Sequence, residues 1–321
     1  MIKPTHSPKP QPHDPRVYCD YAQLVRIQSQ VGAFNLLPNA KVGTQLDGRH
    51  TSKLRGRGLN FEELRHYHLG DDIRNLDWKV TLRTGKPHVR GYTEEKDRNV
   101  VICVDQRSSM FFATQSVMKS VIACEVAALI GWRALKESDR ISCMLLSDKG
   151  LQHTKATRTQ ASFLSFLKTL SQRNQTLNAQ TPRESTSSIS DMIKHLSRSR
   201  CREATIIIIS DWADVSKTDI DRLNSLQRSN DIIPVLVTDP IEQQLPENFI
   251  QQQWRVGDGD HQISLERESQ RRRINTAFEA KSAQTTQRLS RLITSKGLPL
   301  IELSTEGEHI KRFTQRIGGN A

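Results

Sequence analysis

ATIIIISDW, residues 204–212, decides the fold. A strand with one wet face alternates apolar and polar side chains, and four consecutive isoleucines do not. An unbroken β-branched run is the pattern of a strand buried on both faces, as in parallel sheets covered by helices. IIPVLVT at 232–238 and VVICV at 100–104 repeat it. Working outward, strands are predicted at 99–104, 140–147, 151–155, 204–209, 232–238 and 298–303. Helices are predicted at 113–136, 159–171, 187–198, 216–228, 266–295 and 306–317. This alternation predicts an α/β, Rossmann-type, doubly wound and mostly parallel sheet with helices on both faces, spanning 99–321.

The chain before residue 99 reads differently. Residues 1–17 form a proline-rich tail, expected to be disordered, with five of the twelve prolines in the first sixteen positions. Leu24, Ile27, Val31, Phe34 and Leu36 fall at near-helical spacing and predict a helix over 18–37. Residues 38–60 read as an exposed basic loop. Residues 56–99 are densely charged, with turn signals at Gly70-Asp71 and Thr84-Gly85-Lys86-Pro87, and HVRGYTEE alternates like a strand. Residues 18–98 are therefore expected to form a small N-terminal helix/β subdomain.

Three apolar strands run into aspartate, at Asp105, Asp211 and Asp239. Ligands of open parallel sheets bind beyond the carboxyl ends of the strands, where strand order switches. Oxygen donors suit a hard cation such as Mg²⁺. Asp105, Ser109, Asp211 and a hydroxyl from ESTSSIS (184–190) could supply them. The same residue types are also common helix N-caps, so each aspartate taken alone reads as a cap before it reads as a ligand, and the set of three together favours a site. Arg107 sits among them. It is permanently charged, offers five donors and no acceptor, and cannot ligate a cation. Pointing inward, it would pair with Asp105 and Asp211 in the cation's place. Pointing outward, it would leave room for a water.

Upstream, FEELRHYHLGDDIRNLDW interleaves acids with arginines. Arg65, Asp71, Asp72, Arg74 and Asp77 read first as an ion-pair cluster holding the segment in register, with Trp78 as a large apolar anchor. A surface facing a partner is the second reading.

The order strand–DxSxS–helix, a later Thr or Ser before a helix, then strand–(S/T)D resembles a von Willebrand factor A (vWA) domain. The segment 56–98 resembles the signature of one bacterial branch. That signature is carried by Gly56, Gly58, Phe61, Glu62, Glu63, Arg65, Tyr67, Gly70, Asp71, Asp72, Ile73, Arg74, Asp77, Trp78, Arg83, Glu94 and Glu95. The branch is the domain of unknown function 58 family, and the likeness covers about residues 20–317. It implies a vWA-like fold and a metal-ion-dependent adhesion site. Asp105 matches the first Asp, Ser109 the second Ser, Asp211 the later Asp, and Thr186 or Ser187 the intermediate hydroxyl. Arg107 replaces the first Ser, so the implied Mg site is degenerate. The likeness further implies a MoxR-type AAA+ ATPase as partner. Residues 105–109, with Arg107 and Ser108 at the centre, are then expected to recognise a partner carboxylate.

Bulk composition narrows the function classes. The 321 residues carry a formal charge of +12, which favours acidic partners: nucleic acid, anionic lipid or an acidic protein. Five widely spaced cysteines without a CxxC pair, and a start lacking an apolar export core, read as reduced thiols in a cytoplasm. SVMKSVIACEVAALIGW (116–132) is interrupted by Lys119 and Glu125, as a buried helix would be and a membrane span would not. No GxxxxGK[ST] loop, HExxH or GxSxG is present. The expectation is a non-enzymatic adaptor that acts with the ATPase on an unknown client in protein maturation or complex remodelling. A basic nucleic-acid-binding protein is the alternative. A Mg²⁺-dependent hydrolase ranks last, because no general base stands out apart from the aspartates.

Overall fold

Both faces of the isoleucine run are covered. Strand β6 (Ala204–Ser210) is buried at all seven positions. In this computed structural model, the described residues are 14–32, 59–68, 70–94, 98–179, 187–245, 255–257, 262–264, 268–294 and 300–318. Most of the predicted tail and the basic loop lie outside them. Only the end of the tail is seen, where Val17 and Tyr18 donate their N–H groups to Asp14 O.

The chain divides into two compact units, one made of residues 1–40 with 98–321 and the other of residues 41–97. In the larger unit, β3 (Asn99–Asp105), α3 (Lys119–Lys136), β4 (Arg140–Ser147), β5 (Gly150–His153) and α4 (Gln160–Gln175) form the first half. After α5 (Ile189–Arg198), the chain enters β6 and continues through α6 (Lys217–Gln227), β7 (Asp231–Thr238), the short antiparallel pair β8 (Arg255–Gly257) and β9 (Gln262–Ser264), α7 (Glu268–Thr294), β10 (Ile301–Ser304) and α8 (His309–Gly318). The six-stranded sheet has the order β10-β7-β6-β3-β4-β5. Every pair is parallel except β4–β5. Strand order reverses between β3 and β6, so the carboxyl ends of these neighbours flank the crevice at a topological switch point.

Alternate side chains feed two cores. Val100, Ile102 and Val104 face α3, α4 and α8, whereas Val101 and Cys103 face α5 and α6. Helices α3 and α4 approach closely at Gly131. A Cβ there would meet the Phe163 ring at 2.1 Å, so only glycine fits under it. The same ring stands edge-on to Trp132, with centroids 5.3 Å apart. No described helix is long and apolar enough to cross a membrane, and 116–132 supplies most of the buried α3.

The predicted N-terminal helix is shorter than its spacing suggests and belongs elsewhere. Helix α1 (Tyr21–Arg26) passes into a 3-10 turn, Ile27–Gln30. Six residues cannot form a core of their own. Leu24 and Ile27 are instead buried in the first core of the sheet unit, and Trp132 Nε1 donates to Leu24 O at 3.0 Å. The helix thus groups with the sheet rather than with residues 59–94.

In the smaller unit, β1 (Leu59–His66) pairs antiparallel with β2 (His88–Glu94), and α2 (Trp78–Thr84) lies between them in sequence. The β2 strand was legible, but the charged β1 and the short α2 were not. Asp77 caps α2 by accepting from the N–H groups of Lys79 and Val80, and Gly85 ends it in the left-handed region at φ 72°. Arg65 grips Asp71 with two bonds of 2.7 Å, and Arg90 pairs with Asp77 at 2.8 Å. The Arg65 guanidinium holds the Asp71 carboxyl down at about 2. Asp72 accepts from the backbone of Arg74, not from its guanidinium. The ion-pair reading therefore accounts for Arg65, Asp71 and Asp77. It does not account for Trp78, which is 62% exposed. With Ile73 and Leu82 it forms an exposed apolar set, and the exposed Arg74, Lys79 and Arg83 lie among them in sequence.

Candidate functional site

The carboxyl ends of β3 and β6 bring Asp105, Arg107, Ser109, Ser210 and Asp211 to the switch point. Asp105 ends β3, fully buried. A turn follows at once, because Asp105 Oδ1 accepts from the N–H of Arg107 at 3.1 Å. That turn folds Arg107 back over its own strand. Its Nε donates to Asp105 Oδ1 at 3.0 Å and its Nη2 to Oδ2 at 2.7 Å. Ser210 Oγ adds a third donor to Oδ2, at 2.8 Å. Arg107 thus points inward and is only 6% exposed. Its other carboxylate is Asp214, not Asp211: Nη1 donates to Asp214 Oδ2 at 2.7 Å and Nη2 to Oδ1 at 3.1 Å.

Asp211 has its own cation. Lys119, in the first turn of α3, is buried, with Nζ 3.6 Å from Asp211 Oδ2 and 2.7 Å from Glu242 Oε1. Burial alone would raise the Asp211 carboxyl. Lys119, the N–H of Ala213 and Arg107 outweigh it and hold the group below its usual range. Burial pushes Asp105 up, against the pull of the Arg107 fork. For Lys119 and Arg107, burial disfavours the charge, but the facing carboxylates prevail and keep both protonated.

The loop after β6 is strained. Trp212 has φ 54°, a conformation rare for a bulky residue, and is fully buried. Its Nε1 donates to Val235 O at 3.1 Å and its N–H to Ser210 Oγ at 3.1 Å. The buried indole fixes the turn that carries Asp211.

The remaining predicted residues take varied places. Ser108 donates its N–H, at 3.0 Å, and its hydroxyl to Asp148. Ser109 Oγ is buried close enough to Asp211 to favour its charge, yet makes no hydrogen bond of acceptable geometry among the described residues. Ser187 is buried just before the Ser188 cap of α5. Thr186 lies outside the described residues. Asp239, the third strand-end acid, is buried and accepts from Thr114, Ile241 and Thr305, so it ties loops together.

These residues do not fit a Mg²⁺ ion. Both oxygens of Asp105 are taken by donors, and a cation there would face a guanidinium and an ammonium. No group of three or more His, Cys, Asp or Glu suited to a metal occurs among the described residues. Sequence reasoning missed Lys119, Asp148, Trp212, Asp214 and Glu242 at this site. Only Lys119 left a signal, as one of two charges interrupting the apolar stretch 116–132, where burial requires a partner.

An open α/β sheet with a buried, charge-neutralised acidic crest at its switch point defines the class of protein. The chain belongs to the family described as protein of unknown function DUF58, whose family model matches residues 63–288. It is 25% identical over 285 residues to uncharacterized proteins of Mycobacterium bovis and Mycobacterium tuberculosis, covering 88% of this chain and 86% of each relative.

Proposed function

We propose that the chain is a non-enzymatic protein-interaction module of the cytoplasm. It works with a MoxR-type AAA+ ATPase in protein maturation or complex remodelling, and the vWA-like crevice at Asp105–Asp211 is its recognition cleft. The observation that carries this reading is the buried guanidinium of Arg107, which forks onto Asp105 at the carboxyl end of β3. A guanidinium fork binds carboxylates well and activates no water. The aspartates of the crest are themselves engaged by Arg107 and Lys119, which leaves them poor general bases. The exposed Ile73, Trp78 and Leu82, with the exposed Arg74, Lys79 and Arg83 among them in sequence, add a second surface suited to an acidic protein. The choice of ATPase partner rests on the family resemblance.

Affinity capture with the full chain, with and without a slowly hydrolysed ATP analogue, tests the reading. An AAA+ ATPase should co-purify, and capture should fall when Trp78→Ser and Leu82→Ser are combined. Absence of any AAA+ protein under both conditions overturns the partnership. Sequence-independent duplex DNA binding that survives moderate salt would favour the nucleic-acid alternative.

A further inference from the structure

Arg107 presents two edges to two different carboxylates. Its inner edge is spent on Asp105, which is buried at a strand end and cannot move away. Its outer edge is taken by Asp214, in the segment 211–216 between β6 and α6, whose side chain is 39% exposed. The same Asp214 Oδ2 also accepts the N–H of Ile189, the first residue of α5, at 3.3 Å. The parts that hold this carboxylate are therefore largely buried, while the carboxylate itself is part-exposed, on a turn pinned by the buried Trp212 and Val215. The fork is oriented by groups other than Asp214: the Asp105 pair, the Ser210 hydroxyl behind it, and the Arg107 backbone turn. A preorganised guanidinium edge beside a helix-terminal N–H donor is a carboxylate receptor. Asp214 fills it from within.

We propose that this cradle is the binding site for an acidic side chain of a partner protein, and that Asp214 is its displaceable internal stand-in, keeping the site closed until the partner arrives. The proposal rests on reading the crevice as a recognition cleft. Exchanging one carboxylate for another leaves the charge of the cradle unchanged, so the desolvated Arg107 is never left bare. The partner competes against a tethered group, and its apparent affinity falls by the fraction of time the cradle is open. Removing Asp214 removes that competition.

The test follows the Arg107 Nε–Hε resonance in the full-length, arginine-labelled protein, assigned with Arg107→Lys. The probe is N-acetyl-aspartate methylamide, with the asparagine analogue as neutral control. In Asp214→Ala the resonance should shift saturably with the acidic probe, at concentrations at least about tenfold below those needed for wild type. The neutral probe should leave it unmoved. Asp214→Ala should also capture more of the AAA+ partner than wild type. A resonance indifferent to the acidic probe in Asp214→Ala, or shifting equally with both probes, overturns the stand-in. Partner capture that persists in that case shows that the adaptor reading survives without it. Probe entry with no change in capture refutes the partner's use of the cradle.

Discussion

Lys119 Nζ stands 3.6 Å from Asp211 Oδ2, joining the start of α3 to the end of β6 in a site with almost no solvent. The lysine is 1% exposed and the aspartate side chain 6%. Breaking a buried pair by removing one partner costs far more than the pair contributes, because a bare charge remains. Lys119→Met should therefore lose about 3–5 kcal/mol in urea unfolding. Adding Asp211→Asn should recover part of that loss. A single-variant loss below about 1 kcal/mol, the scale of a surface pair, would show that the Asp211 site is wet.

Gly131→Ala tests the close approach of α3 and α4. Alanine is the better helix former by about 1 kcal/mol, which taken alone would stabilise α3. The added methyl would stand 2.1 Å from Phe163, a buried ring. Overpacking of this kind costs about 1–3 kcal/mol, so the net change should be destabilising. Phe163→Leu in the alanine background should restore some of it. A higher melting temperature for Gly131→Ala would refute the packing.

Asp139, at the turn into β4, has its carboxyl pushed from 3.8 to about 6, by burial first and by Glu137 second. The folded state thus holds this proton more tightly than the unfolded chain. Its contribution to stability is present below about pH 4 and is lost as the pH rises through about 6. Asp139→Asn, which cannot ionise, should melt higher than wild type at pH 8 and close to it at pH 4. Equal melting temperatures at both values would remove the buried charge from consideration.

Trp78 and Leu82, 62% and 83% exposed, separate folding from binding. Replacing both with serine should leave stability within about 0.5 kcal/mol, as for other surface substitutions. Capture of the proposed AAA+ partner should fall several-fold. A large loss of stability would show instead that these side chains serve the fold.

The sheet was legible because its signal is local. Ile206–Ile209 and Val100–Val104 are apolar without alternation, and that pattern has one common structural cause. Strand β1 was not legible, because FEELRH is rich in charges that strands usually avoid. Within the site, Arg107 was conspicuous because it interrupts a run of hydroxyl and carboxylate residues. Which acids it meets was not legible. Asp214 is an ordinary loop aspartate in sequence, and only the register of β3 against β6 sets it across from Arg107. Lys119 lay in plain view as an interruption of an apolar helix, but its partner Asp211 is 92 positions away and is placed by the sheet alone.

The most direct test asks what supplies the positive charge at the crest. Isothermal titration of the full chain with Mg²⁺ and with Mn²⁺ should give no saturable heat up to millimolar concentrations, because Arg107 and Lys119 already satisfy Asp105 and Asp211. Stoichiometric binding of either ion, abolished by Asp211→Asn, would contradict this and return the site to a metal.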